Sequence, residues 1–215
     1  MLETKRFLDP LDRSSEVLFG LIMVLTFTGS LSAAEAGRTE IRAMLIGALG
    51  CNFAWGIIDG ILYLMGRWAE EGRMLLAWKR VRTAQTKDEA HQIIAGVLPS
   101  KIASALHDPE FELIRKELVE SPEPPKRYRL GKEEYFGAIG VFLWVFVVTL
   151  PVVVPFLFMA DTMRALRLSN GIAILMLFVA GYTLGRHAGY PPWRIGVAMV
   201  GVGVALVAIT IALGG

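Results

Sequence analysis

Residues 43–66 read AMLIGALGCNFAWGIIDGILYLMG, a run of 24 positions in which Asp59 is the single charged side chain. About 17–25 helical residues cross a bilayer core, so this stretch is long enough to span one. It lacks the in-out alternation of a membrane barrel strand, and a lipid-exposed backbone must satisfy its own hydrogen bonds, which selects a helix. Outward from it, residues 17–34, 135–160, 168–185 and 195–215 form four more apolar runs without any charge. The sequence therefore predicts an all-α membrane protein with five transmembrane helices. Its parts are an amino-terminal hairpin (1–66), a charged helical cytoplasmic insert between the second and third spans (67–134) and a three-helix unit (135–215). A hydrophobic share of 54% and a mean hydropathy of +0.50 exclude an ordinary soluble domain of this length.

Charge placement orients the chain. The net charge is only +2, which gives no nucleic-acid signature. With five spans, one side holds 18 of the 22 Lys and Arg residues, and the other holds only Arg38, Arg42, Arg164 and Arg167. The positive-inside rule places the amino terminus and the insert in the cytoplasm and the carboxy terminus outside, in the cytoplasmic membrane if the cell is bacterial. Ala34-Glu35-Ala36 also satisfies a signal-cleavage pattern, but the acidic residues Glu3, Asp9, Asp12 and Glu16 in the preceding flank argue against cleavage. Cys51 is the only cysteine, so no disulfide framework exists.

The insert reads as helical. Met74, Trp78 and Val81 share a stripe in 67–85, which predicts a helix along the headgroups. Thr86 and Glu89 form a capping-box pattern ahead of Ile93, Ile94 and Val97. Asp108-Pro109 starts a helix with Phe111, Ile114 and Leu118 on its inner face, which Pro122, Pro124 and Pro125 end. Its 13 basic and 12 acidic residues are interleaved without ligand spacing, so tight metal binding is not expected there despite His107, Asp108 and Glu112. Elsewhere, Pro151 and Pro155 predict a kink in the third span, eased by Thr149, and Gly201 with Ala205 and Ala208 with Ala212 predict close helix packing in the fifth.

Asp59 carries the most information about function, because an ionised carboxylate at bilayer depth costs at least about 2.5–3.5 kcal/mol. Ala48, Asn52, Gly56, Asp59, Tyr63 and Gly66 make one stripe of small and polar groups on an otherwise oily helix. Glu16, Gly20, Met23, Phe27 and Ser30 make a comparable stripe in the first span. If the two are antiparallel neighbours, Asp59, Asn52, Met23 and Glu16 are the candidate metal ligands, a mixed hard and soft set suited to a borderline divalent ion. Three of the four have a structural alternative: Asp59 protonated and bonded across an interface, Met23 as packing, Glu16 as a helix-start residue. No phosphate loop, nucleophile elbow or zinc spacing is present, so the chain is not expected to be an enzyme or to hold a resident cofactor.

Glu16-Val17-Leu18-Phe19-Gly20 opening span one, an acid late in span two, a charged helical insert, the doubled proline of span three and a last span after Pro192-Trp193-Arg194 together resemble the vacuolar iron transporter family. The resemblance implies a five-helix homodimer in membrane lipid that moves ferrous iron or manganese out of the cytosol against protons, with the insert collecting metal. In that comparison Met23 stands where the family has an aspartate, Asp59 stands near its span-two glutamate, and the insert lacks its regularly spaced glutamates. The alternative is a non-transporting membrane scaffold whose insert docks a partner. A transporter requires Asp59 to be reached by water, and a scaffold requires it to be dry and paired.

Overall fold

The computed structural model describes residues 20–23 and 38–212, and every regular element among them is an α-helix. Residues 20–23 are helical, and the named helices are α1 (Arg38–Thr83), α2 (Lys87–Val97), α3 (Ser100–Ala103), α4 (Asp108–Glu120), α5 (Lys132–Phe158), α6 (Thr162–Ala188) and α7 (Pro192–Ala212). Three stretches are long and apolar enough to cross a membrane: Arg42–Thr83, Lys132–Phe158 and Thr162–Ala188. The apolar part of α7, Pro192–Leu206, is shorter, and the first expected span lies almost wholly outside the described residues. The chain divides into two compact units, residues up to Tyr63 with Phe136–Gly215, and Leu64–Tyr135.

In the first unit α1 and α5 run antiparallel. Met44 and Leu45 pack with Val153, and Phe53 sets its ring edge-on to Phe142 at 5.2 Å. A methyl added to Gly56 would lie 2.9 Å from the Phe142 ring, and one on Gly60 would lie 3.1 Å from the Ala138 carbonyl. Rising numbers on α1 thus meet falling numbers on α5, at a spacing only glycine allows. Both prolines sit within the continuous α5. Thr149 Oγ1 donates to Phe146 O at 2.8 Å rather than to Val147 O, the carbonyl that Pro151 deprives of its helical donor. Ser169 Oγ of α6 reaches across to Val152 O at 2.7 Å.

Asp161 caps α6 by accepting from the Arg164 amide. The helix ends at Gly189, whose φ of 75° lies in the left-handed region that a side chain would strain. Then α7 returns against α6, with Gly181 and Gly185 facing Ile195, and Gly196 facing Phe178. The close approach falls on these glycines and not on Gly201, which is exposed with nothing within 4 Å of an added methyl among the described residues. The unit is oily on its outside, where Trp55, Phe136 and Phe158 are 43%, 64% and 84% exposed, while its interior is apolar around Leu21, Val152 and Leu177 and also holds the fully buried polar residues Asn52, Thr149 and Ser169. That inversion of a soluble protein's surface fits hydrocarbon as the solvent.

In the second unit the expected separate helix over 67–85 is instead a continuation of α1, held by Arg67 to Glu70 and Glu71 at 3.3 and 3.0 Å. Thr86 caps α2 by accepting from the Glu89 amide, and the Glu89 carboxylate returns to Gln85 N at 2.9 Å. His107 caps α4, where the Glu110 carboxylate accepts from the His107 amide at 2.9 Å. Val81, Ala90, Ile94 and Phe111 form the core, with Ile114 and Leu118 packed against it. Within α4, Arg115 holds Glu112 through two bonds of 2.8 Å, and His91 Nε2 of α2 lies 3.6 Å from the same carboxylate.

The Arg115 hydrogen bonds, helped by the charges of Arg115 and Lys87, lower the Glu112 pKa to about 2 from an ordinary value of 4.5. A carboxylate whose folded pKa is depressed contributes stability that is complete above its ordinary pKa and lost as pH falls through the folded value. Amide hydrogen exchange comparing wild type with Glu112→Gln should therefore show the variant less protected in α2 and α4 above pH 4.5. The difference should shrink as pH falls toward about 2. A difference that does not change with pH would remove the charge from the account.

Candidate functional site

The buried face of α1 carries Ala48, Asn52, Gly56 and Gly60 toward the interior of the first unit. Asn52 is fully buried, and neither its Oδ1 nor its Nδ2 has a hydrogen-bond partner among the described residues. Burying an amide without a partner costs about 1–3 kcal/mol, so such a group in a packed helix interface calls for an explanation. Small neighbours make the space around it. A methyl on Gly20 would lie 3.8 Å from Asn52 Oδ1, 3.7 Å from Val145 O and 3.1 Å from the Thr149 methyl. Gly20, α1 and α5 thus come together near this amide. Thr149 is fully buried as well, and its hydroxyl, having donated to Phe146 O, keeps lone pairs that can accept.

Asp59 lies seven residues further along α1. Seven residues return to within about 20° of the same helix face, and at 1.5 Å per residue they are about 10 Å apart along the axis. Asp59 is half-buried, next to Gly60, and no hydrogen bond or ion pair reaches it among the described residues. The carboxylate and the amide therefore share a face but not a depth. A single ion with ligands at roughly 2.0–2.6 Å cannot take both at once.

The other candidates are placed differently. Met23 is half-buried, but Gly20 is the first-span residue that meets Asn52. Glu16 lies outside the described residues, and Gly66, at the end of the expected stripe, is exposed. His107, Asp108 and Glu112 do not converge: His107 and Asp108 are at the start of α4, and Glu112 is committed to Arg115. His91 turns opposite ring nitrogens to Asp108 at 4.0 Å and Glu112 at 3.6 Å, an arrangement that divides the carboxylates between two sides of the ring. No group of three or more His, Cys, Asp or Glu side chains close enough to hold a metal occurs among the described residues. The membrane helices thus offer oxygen donors of mixed type, one carboxylate with an amide and a hydroxyl. Thr149 was weighed from the sequence only as a backbone partner for the prolines. Its spacing to those prolines gave no sign that it would meet Gly20, the residue that also meets Asn52.

Comparison with known proteins adds the family. No curated protein matches the chain. The model of the VIT family matches residues 81–215, which are 135 of the 215 residues, and covers α2 to α7 with the last turn of α1. Asn52 and Asp59 precede the matched segment. VIT proteins are transporters of metal ions, and apolar helices of spanning length accord with an integral membrane protein. The match takes in more than half of the sequence, and the chain belongs to the VIT family, the vacuolar iron transporters.

Proposed function

We propose that the protein carries a divalent metal ion, ferrous iron or manganese, out of the cytosol in exchange for protons, with Asp59 and Asn52 as successive stations on one face of α1. The observation that supports this reading most is the fully buried Asn52 amide with both polar atoms unpartnered, on the face that also carries Asp59. A scaffold has no use for an amide held at that cost, whereas a passing cation would satisfy its oxygen. Asp59 supplies the charge. Because only a deprotonated carboxylate ligates a metal, the ion and a proton compete for this group. Carboxylate, amide and hydroxyl oxygens suit manganese among the two ions. In this reading Met23 and Glu16 belong to the first span's side of the path.

Orientation follows from the 18 basic residues assigned to one side, which put the amino terminus and the segment 67–134 in the cytoplasm. The protein would act as a homodimer in the cytoplasmic membrane. Purified protein in liposomes, with manganese, ferrous iron or calcium on one side and a pH gradient imposed, tests the reading. Saturable manganese or iron flux that moves protons the opposite way is the expected result. Flux absent for all three ions, or present without proton movement, would defeat it.

A further inference from the structure

The second unit contains an open cavity of about 420 Å³ that the transport reading does not use. It is lined by Met74, Leu75 and Trp78 of α1, Ile94 of α2 and Ile114 and Leu118 of α4, with Glu71, Pro125 and Tyr128 at its margin. Its size falls within the roughly 300–1,000 Å³ of small-molecule sites. The polar tips around it are already occupied. Trp78 Nε1 donates to Leu118 O at 2.9 Å, Tyr128 Oη donates to Glu134 at 3.0 Å, and the Glu71 carboxylate accepts from Arg67 at 3.0 Å. Burial raises the Tyr128 pKa, and the bond to Glu134 adds to it, so this tip stays a neutral donor. What remains is hydrocarbon surface, and a polar ligand would lose its water there without replacement.

Two cations are anchored at the end of the cavity formed by Leu118 and Pro125. Arg82 donates to Leu118 O at 3.0 Å and to Ser121 O at 2.8 Å, and Lys79 donates to Lys126 O at 2.7 Å, beside Pro125. Both cations are bonded to backbone carbonyls, and neither has a carboxylate partner among the described residues. Lys126 and Arg127 are exposed next to them. An apolar cavity with two cations bonded to carbonyls and not to carboxylates at one end complements a molecule with one hydrocarbon chain and one anionic head.

We propose that this cavity binds the hydrocarbon chain of a fatty acid, whose carboxylate pairs with Lys79 and Arg82 at the end formed by Leu118 and Pro125. The test uses the full chain in phosphatidylcholine nanodiscs and a long-chain fatty acid bearing a photoreactive diazirine in its tail, with adducts mapped by peptide mass spectrometry. The expected result is saturable labelling of 74–81, 94–98 or 114–118 that excess unlabelled fatty acid removes and its uncharged methyl ester removes much less well. Val97→Trp, which fills the cavity, should lose this labelling while adducts in the spanning helices persist. Lys79→Glu leaves the lining intact and should weaken the labelling several-fold, so the inference stays testable if Val97→Trp misfolds. Labelling confined to 132–212, labelling not displaced by excess acid, or equal displacement by the ester overturns it. So does a site that a diazirine-bearing anionic phospholipid labels and the fatty acid does not.

Discussion

Asp59→Asn is expected to leave an inserted, folded protein in which metal-coupled proton movement has dropped to the level of protein-free vesicles. The substitution keeps volume and hydrogen-bonding capacity and removes only the titratable charge. Because Asp59 is half-buried and without an ion pair among the described residues, no cation loses a partner and little stability should change. Transport should change greatly, since the carboxylate is the only acidic group in the apolar stretch of α1 and, in the proposed exchange, the group for which metal and proton compete. Asp59→Glu retains the charge with a longer reach and should keep part of the flux. Liposome flux at several pH values, measured beside the unfolding temperature in detergent, separates the two effects. If Asp59→Asn moves metal at the wild-type rate with the wild-type pH dependence, the coupling site is elsewhere.

How far the sequence led differs from element to element. Apolar length identified three helices of spanning length among the described residues, and local capping chemistry identified the starts of α2 and α4, because both signals are contained within a few neighbouring residues. The end of α1 was misjudged for a physical reason. Composition changes at Gly66-Arg67, which marks a change of solvent, but nothing between Arg67 and Thr83 breaks a helix, and Arg67 pairs with Glu70 and Glu71 to carry it on. A change of solvent and a helix end are separate events. The packing glycines were misjudged for another. Small residues recur all round α7, and only the position of α6 decides that Gly196 faces Phe178 while Gly201 faces away.

The candidate site shows the same limit. The stripe through Asn52 and Asp59 follows from the 3.6-residue period alone, so both residues were visible from spacing. That Asn52 would be the fully buried one and Asp59 the half-buried one depends on where Gly20 and Thr149 fall, a matter of register between helices. His91 beside Glu112 was invisible for that reason too, since those residues stand on helices whose pairing is set by the intervening turn at α3.

Asn52→Leu is expected to raise thermal stability while abolishing transport, a combination that a structural role cannot produce. Leucine reproduces the branched four-atom outline of asparagine with more bulk, and the side chain lies beside Gly20, whose missing methyl leaves room next to Oδ1. Removing the amide relieves up to about 1–3 kcal/mol of uncompensated desolvation, which outweighs the accommodation of the added bulk at a glycine contact. If Asn52 instead held the helices together through bonds to its neighbours, its loss would lower the unfolding temperature, and flux would fall only in proportion to the folded fraction. Asn52→Asp divides the remaining cases. It keeps the oxygen ligand and adds a charge, so metal flux should persist and become more strongly pH-dependent, because a second proton now competes with the ion. A stable, inactive Asn52→Leu beside an active Asn52→Asp would mean that the unpartnered amide is kept for the ion that passes it, at a cost the fold carries whenever the path is empty.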